Sequence, residues 1–274
     1  MNSVKKAVIP AAGYGTRMLP ASKAIPKELF PVAGKPVIQH IVEEAVDAGI
    51  EEILIIISEG KEVIKSHFST NSDLEDRLIL RNKEEELKEI QKLSNLARIE
   101  YQYQPEQKGL GDAILLSKSW VGNDPFMIML GDTIINPISE TQKLISSFLA
   151  FQSNIVQVRE VAPDQVSKYG IMDGSFDKDK SLYKVNKWIE KPSQELAPSN
   201  LAIAGRYIFT QDIFKYLEGT GLGIHNEIQL TDAMQAMLRD NTCFAQVLKG
   251  RRFDIGNWEE FIKANIELSD FENL

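Results

Sequence analysis

The residues best suited to chemistry lie near the start of the chain. Ala11-Ala12-Gly13-Tyr14-Gly15-Thr16-Arg17 follows directly on a short apolar run. Glycines at 13 and 15 let the backbone approach a ligand closely, and successive N–H groups there can cradle a phosphate or a base edge. Between residues 17 and 35 the cations Arg17, Lys23, Lys27 and Lys35 stand against Glu28 alone, a local charge of +3 in a chain whose formal net charge is −8. This points to a phosphorylated ligand. Lys23 and Lys35 fit either a ligand role or a solvated surface. The loop is not a dinucleotide fingerprint, because the third glycine of that motif would fall at Met18. Nor does the chain contain the Gly-x-x-x-x-Gly-Lys-Ser/Thr of a P-loop.

The loop continues into Met18-Leu19-Pro20 and then Lys23-Ala24-Ile25-Pro26-Lys27-Glu28. Further along come Lys108-Gly109-Leu110-Gly111, Leu130-Gly131-Asp132, Tyr169-Gly170 and Glu190-Lys191-Pro192. After these stand Pro198-Ser199-Asn200-Leu201-Ala202-Ile203, Gly205-Arg206-Tyr207 and Glu227-Ile228-Gln229-Leu230-Thr231-Asp232-Ala233. In this order the set resembles the nucleotidyltransferases that activate sugar phosphates, nearly to the C-terminus. The Ser-Asn-Leu-Ala-Ile and Glu-Ile-Gln-Leu-Thr-Asp-Ala segments point to the bacterial members that make UDP-glucose and pyrophosphate from UTP and glucose 1-phosphate. Thymidylyl transfer, another hexose 1-phosphate, or a catalytically silent sugar-nucleotide binder are the alternatives. A pure binder would have no need of Arg17, Lys27, Asp132 and Lys191 together.

The resemblance implies a role for each matching residue. Ala11, Ala12, Gly13, Gly15 and Gly109 line the nucleotide, and Gln104 reads uracil with its side-chain amide. Arg17 and Lys27 hold the triphosphate and the departing pyrophosphate. Gly170 and Glu190 face the sugar, and Lys191 its phosphate. Asp132 holds Mg²⁺, with Asp254 as a second ligand or, on its residue type alone, a turn former before the last helix. The chemistry needs no general base. A phosphate whose second pKa is ~6 is already a nucleophile at neutral pH. The demand is to relieve repulsion between two anions and to position them. Magnesium suits one or two carboxylates, since phosphate oxygens and water complete its shell. Three departures from the pattern bear on specificity: His225-Asn226, Thr133 after Asp132, and Pro105-Glu106-Gln107.

The elements that must position these groups can be read from periodicity. Residues 6–10 form a buried strand, and 11–19 a loop. Pro36 opens a helix at its first position, with Ile38, Ile41, Val42, Ala45 and Val46 on one face and Gly49 as its stop. Ile53–Ile57 is a strand buried on both faces. Strands are expected at 98–103, 126–130, 154–161, 183–189, 201–209 and near 243–248. Helices are expected at 110–117, 140–151, 229–239 and 257–269, and a solvated one over 75–92. Alternating strands and helices predict an α/β fold: a Rossmann-like mixed, mostly parallel sheet flanked by helices, of nucleotidyltransferase type. With no repeat or linker, residues 1–274 are expected to form one domain. Nucleotide contacts fall mainly in 1–135 and sugar-phosphate contacts in 136–274.

Bulk properties narrow the classes. The net negative charge argues against nucleic acid, and no apolar run approaches a membrane span. One cysteine, Cys243, allows no internal disulfide and reads as core. Together with an N-terminus unlike a signal peptide, this leads us to expect a cytoplasmic protein, with a homo-oligomer anticipated. His40, His67 and His225 read as structural, because three histidines and one cysteine do not make a zinc site.

Overall fold

A computed structural model describes residues 3–223 and 226–269. The reading of His225 lies outside them. The first half contains β1 (Lys6–Pro10), β2 (Pro31–Val32), β3 (Lys35–Pro36), α1 (Val37–Asp47), β4 (Glu52–Ile57), α2 (Glu62–Phe68), α3 (Ser72–Leu80), α4 (Glu84–Ser94), β5 (Arg98–Tyr103), α5 (Leu110–Leu116), α6 (Lys118–Val121) and β6 (Phe126–Met129). The second contains β7 (Thr133–Asn136), α7 (Ser139–Phe151), β8 (Asn154–Glu160), β9 (Gly170–Asp177), β10 (Leu182–Glu190), β11 (Leu201–Phe209), α8 (Ile213–Gly219), α9 (Leu230–Met237), β12 (Cys243–Val247), β13 (Arg251–Asp254) and α10 (Trp258–Leu268).

Among the described residues, nine strands form one mixed sheet in the order β5-β4-β1-β6-β11-β8-β12-β10-β9. All of them run one way except β11 and β10. β9 also pairs with β11, which curls the second half into a closed ring of strands. The apolar runs of β1 and β4 serve both faces of this sheet. Ala7, Ile9, Ile53, Ile55 and Ile57 enter one core with the apolar faces of α1 and α7, while Val8, Leu54 and Ile56 enter another with α5, α8 and α9. Period-two alternation splits each continuous run between two cores, which is why these strands look uniformly apolar in sequence.

The structure differs from the sequence reading in places. Pro36 has ψ 144 and caps α1 from outside; it is not its first residue. The charged segment 75–92 is two helices, α3 and α4, broken where Asn82 takes a left-handed φ of 55. Asn tolerates that conformation better than most residues. Strands β7, β9 and β13 and helix α8 were not anticipated.

One buried ion pair ties the halves together. The Arg206 guanidinium on β11 donates to both carboxylate oxygens of Glu44 on α1, at 2.8 and 2.7 Å, and to the Thr133 and Gly205 carbonyls. Thr141 on α7 donates to Glu44 as well, at 2.5 Å. Arg206 is fully buried and Glu44 nearly so. Arg206→Met leaves a buried carboxylate without its cation and is expected to lower unfolding stability by ~3–5 kcal/mol in urea titrations. Adding Glu44→Met removes both charges and should recover most of the loss. A double variant no more stable than the single one would contradict this account.

Candidate active site

The strand order reverses about β1: β4 and β5 lie to one side and β6 to the other. Open α/β sheets bind ligands at such a switch point, beyond the carboxyl ends of the strands. The loops leaving β1 and β6 there border a cleft of about 530 Å³. Its walls include Ala12, Gly13, Gly15, Arg17, Lys27, Gln104, Gly109 and Asp132, so most of the expected nucleotide group is brought together. Ala11 is buried behind the wall, its N–H bonded to the Ile56 carbonyl at 2.7 Å. A hollow of about 590 Å³ between α5, α6 and Phe214 is slightly larger. Its lining is mainly apolar, and its one cation, Lys118, is paired with Glu218.

Asp132 reaches the cleft because Gly131 lies against β1. A Cβ on Gly131 would stand 2.7 Å from the Pro10 carbonyl oxygen, so any other residue would push β6 and its carboxylate away. Lys27 Nζ meets Asp132 Oδ2 at 2.5 Å. Burial works against both charges, but their mutual attraction prevails. The Lys27 pKa is raised, with Glu28 assisting, and that of Asp132 falls to about 2, with Arg252 and Arg17 assisting. The β7–β13 pairing sets Asp254 opposite Thr133, next to Asp132, and the Ile255 N–H donates to the Asp132 carbonyl at 2.8 Å. Asp254 faces Arg17 at 3.9 Å and Arg252 at 3.8 Å. Among the described residues, no cluster of three or more His, Cys, Asp or Glu could hold a metal. Two neighbouring carboxylates match the donor set of a magnesium ion that draws its remaining ligands from phosphate and water.

The loop after β1 is fastened from beneath. Lys61 Nζ donates to the Ala11 and Gly13 carbonyls, each at 2.7 Å, and to both Glu28 carboxylate oxygens at 3.0 and 2.9 Å. Burial pushes the Glu28 carboxyl up against its cations and the Lys61 ammonium down against Glu28. The sequence placed Glu28 in a motif but gave it no role, and nothing local marks Lys61, whose partner is 33 residues away. Lys35 is held by Glu43 at 2.8 Å, and Lys23 is exposed. Neither lines the cleft.

The sugar-side residues form a second group. Gly170 opens β9 opposite Glu190 at the end of β10. A Cβ at 170 would lie 2.7 Å from Ile203 and 3.0 Å from the Thr231 hydroxyl. That hydroxyl donates to Glu190 at 2.6 Å and fixes the carboxylate, a role the sequence did not disclose. Lys191 has a left-handed φ of 43, an uncommon conformation of the kind that collects at functional sites. Its N–H donates to the Tyr169 carbonyl. Burial raises the phenol pKa of Tyr207, and the charge of Glu190 adds to the rise. His40 bonds the Val32 carbonyl and His67 the Gln39 side chain, both in structural roles. Cys243 is fully buried. Among the described residues, no helix is long and apolar enough to cross a membrane.

A family model described as nucleotidyl transferase matches residues 6–270. A UTP–glucose-1-phosphate uridylyltransferase of Bacillus subtilis is 46% identical over 97% of this chain and 89% of its own length. A crystal structure of UDP-glucose pyrophosphorylase complexed with UDP-glucose superposes with a TM-score of 0.87 at 39% identity, over 97% of this chain and 98% of that one. A UTP-bound UDP-glucose pyrophosphorylase of Acinetobacter baumannii superposes at 0.90 with 36% identity, over 97% and 93%.

The depressed pKa of Asp132 makes a stability prediction. Its folded value of about 2 lies below the ~3.9 of an unfolded aspartate. The carboxylate therefore contributes stability fully above ~pH 4, and loses it as pH falls towards 2. Thermal unfolding of wild type and Asp132→Asn should differ clearly near pH 6 and converge towards pH 2.5. A difference independent of pH would remove the charged pair from the account.

Proposed function

This chain belongs to the nucleotidyl transferase family, and we propose that the cleft beyond β1 and β6 is where it makes UDP-glucose. The reaction is uridylyl transfer: a phosphate oxygen of glucose 1-phosphate attacks the α-phosphorus of UTP, and the bond to pyrophosphate breaks. The observation that carries the assignment is the meeting of Arg17, Lys27, Asp132 and Gln104 on one cleft, in a chain that matches uridylyltransferases nearly end to end. A silent binder would not need this charge set.

The geometry supports the following role for each residue. Lys27, held by Asp132 in the free protein, exchanges that carboxylate for the triphosphate, and exposed Arg17 meets it at the mouth of the cleft. Arg offers a planar fork and Lys a mobile point charge. The backbone of Ala12, Gly13, Gly15 and Gly109 surrounds the nucleotide. Gln104 reaches the base. Its Nε2 donates to the Gly109 carbonyl at 3.2 Å and to Asp112 Oδ2 at 2.8 Å, so its carbonyl oxygen is the atom left for the ligand. Glu190, steadied by Thr231, takes sugar hydroxyls, the Gly170 N–H lies beside them, and Lys191 neutralises the sugar phosphate. Enzymes of this family generally use a divalent metal. Asp132 and Asp254 would hold magnesium, which when bound supplies charge neutralisation on the phosphates. Residues 1–135 serve mainly the nucleotide and 136–274 mainly the sugar phosphate, within one domain.

A panel of UTP, TTP, CTP and ATP against several hexose 1-phosphates, read by pyrophosphate release, tests the assignment. UTP with glucose 1-phosphate should turn over best, and a chelator should abolish turnover. TTP shares the imide edge of uracil and is excluded only by shape, worth ~1–3 kcal/mol, so it should be a poor substrate. Arg17→Ala should act on the triphosphate side and Lys191→Ala on the sugar-phosphate side, each lowering kcat/KM by roughly a hundredfold. Binding of UDP-glucose without turnover of any pair would favour the silent binder.

A further inference from the structure

Gln104 is nearly buried at the end of β5, and its amide has a fixed orientation. Both neighbours of its nitrogen are acceptors, the Gly109 carbonyl at 3.2 Å and the Asp112 carboxylate at 2.8 Å. An amide nitrogen carries two protons, and these contacts use both. Turning the amide over would set its oxygen against a carbonyl and a carboxylate, trading two hydrogen bonds for two repulsions. The bond to Asp112 is charge-assisted, the stronger kind.

A residue that presents only a carbonyl oxygen can read only a donor. The edge of uracil carries O4, N3–H and O2, so N3–H is the one group such a residue can accept from. At the same position cytosine has an unprotonated N3, whose lone pair would face the carbonyl oxygen. We propose that Asp112, in the first turn of α5, is a positioning residue that sets nucleotide choice. With the Gly109 carbonyl it takes both protons of Gln104, which then admits uracil and turns cytosine away. This rests on the reading of Gln104 as the base contact. Asp112 itself does not line the cleft, and its link to it is the bond to Gln104.

The test compares kcat/KM for UTP and CTP in wild type, Asp112→Asn, Asp112→Leu and Gln104→Leu. An asparagine at 112 can turn its own NH₂ towards a reversed Gln104, which then offers N–H to cytosine N3. The ratio of CTP to UTP kcat/KM should rise by about tenfold or more, the difference between charged and neutral hydrogen bonds. The KM for glucose 1-phosphate should stay unchanged, a split that general loosening of the fold would not give. Asp112→Leu removes the acceptor without supplying a donor, and should raise the ratio less. It also stands in should the asparagine variant not fold. If Gln104→Leu impairs UTP while neither Asp112 variant moves the ratio, the base contact stands and the proposal falls. If Gln104→Leu leaves UTP kinetics untouched, the base contact falls, and the proposal with it.

Discussion

A site that receives a triphosphate must hold cations close together before the phosphate arrives. In the proposed reading of the cleft, the Lys27–Asp132 pair does so. Without Asp132, burial and the nearby Arg17 would work against the Lys27 charge with Glu28 left to oppose them. With it, the lysine stays charged at the mouth of the parallel strands, and the carboxylate stays ionised in turn. Arg17 stands in the same relation to Asp254, more loosely and with more exposure. Each cation thus faces a carboxylate proposed as a metal ligand. One arrangement serves the folded free protein and prepares the charge pattern that the reaction needs.

The rest of the fold keeps those carboxylates in place. Asp132 sits between Gly131, pressed on β1, and Thr133, whose carbonyl is held by Arg206. Arg206 is in turn locked by Glu44 from α1, so a helix of the first half fixes a strand of the second at the residue next to the site. Beneath the glycine loop, Lys61 and Glu28 do similar work. A buried ion pair contributes little net stability compared with apolar packing. Here the two pairs fix position: each has a member bonded to backbone groups of the site loops.

How much of this was legible in the sequence depended on the range of the interactions. The strands β1, β4 and β6 announce themselves because burial on both faces demands unbroken apolar runs. The glycine loop, Asp132 and the Glu190-Lys191 pair stand in compact local motifs. Strand β9 was hidden because Gly174, Asp173 and Asp177 dilute a pattern in which only its first three residues are buried. Strands β7 and β13 are short and form a two-stranded sheet of their own among the described residues. Nothing in the sequence pairs Glu44 with Arg206 or Lys61 with Glu28, since these partners lie 162 and 33 residues apart and no local spacing reveals them. Gln104 could be singled out from the sequence, and it does line the cleft, but the use of both its amide protons depends on Asp112 eight residues on, across the turn into α5.

The central claim is that Lys27 leaves Asp132 for the triphosphate and that the freed carboxylate serves the metal. The most direct measurement is anomalous diffraction at the manganese edge from crystals grown with Mn²⁺ and UTP. The account predicts a manganese peak at the Asp132 and Asp254 carboxylates, with Lys27 Nζ moved from Asp132 onto a phosphate oxygen. A peak elsewhere, with the Lys27–Asp132 contact intact while UTP occupies the cleft, would contradict it.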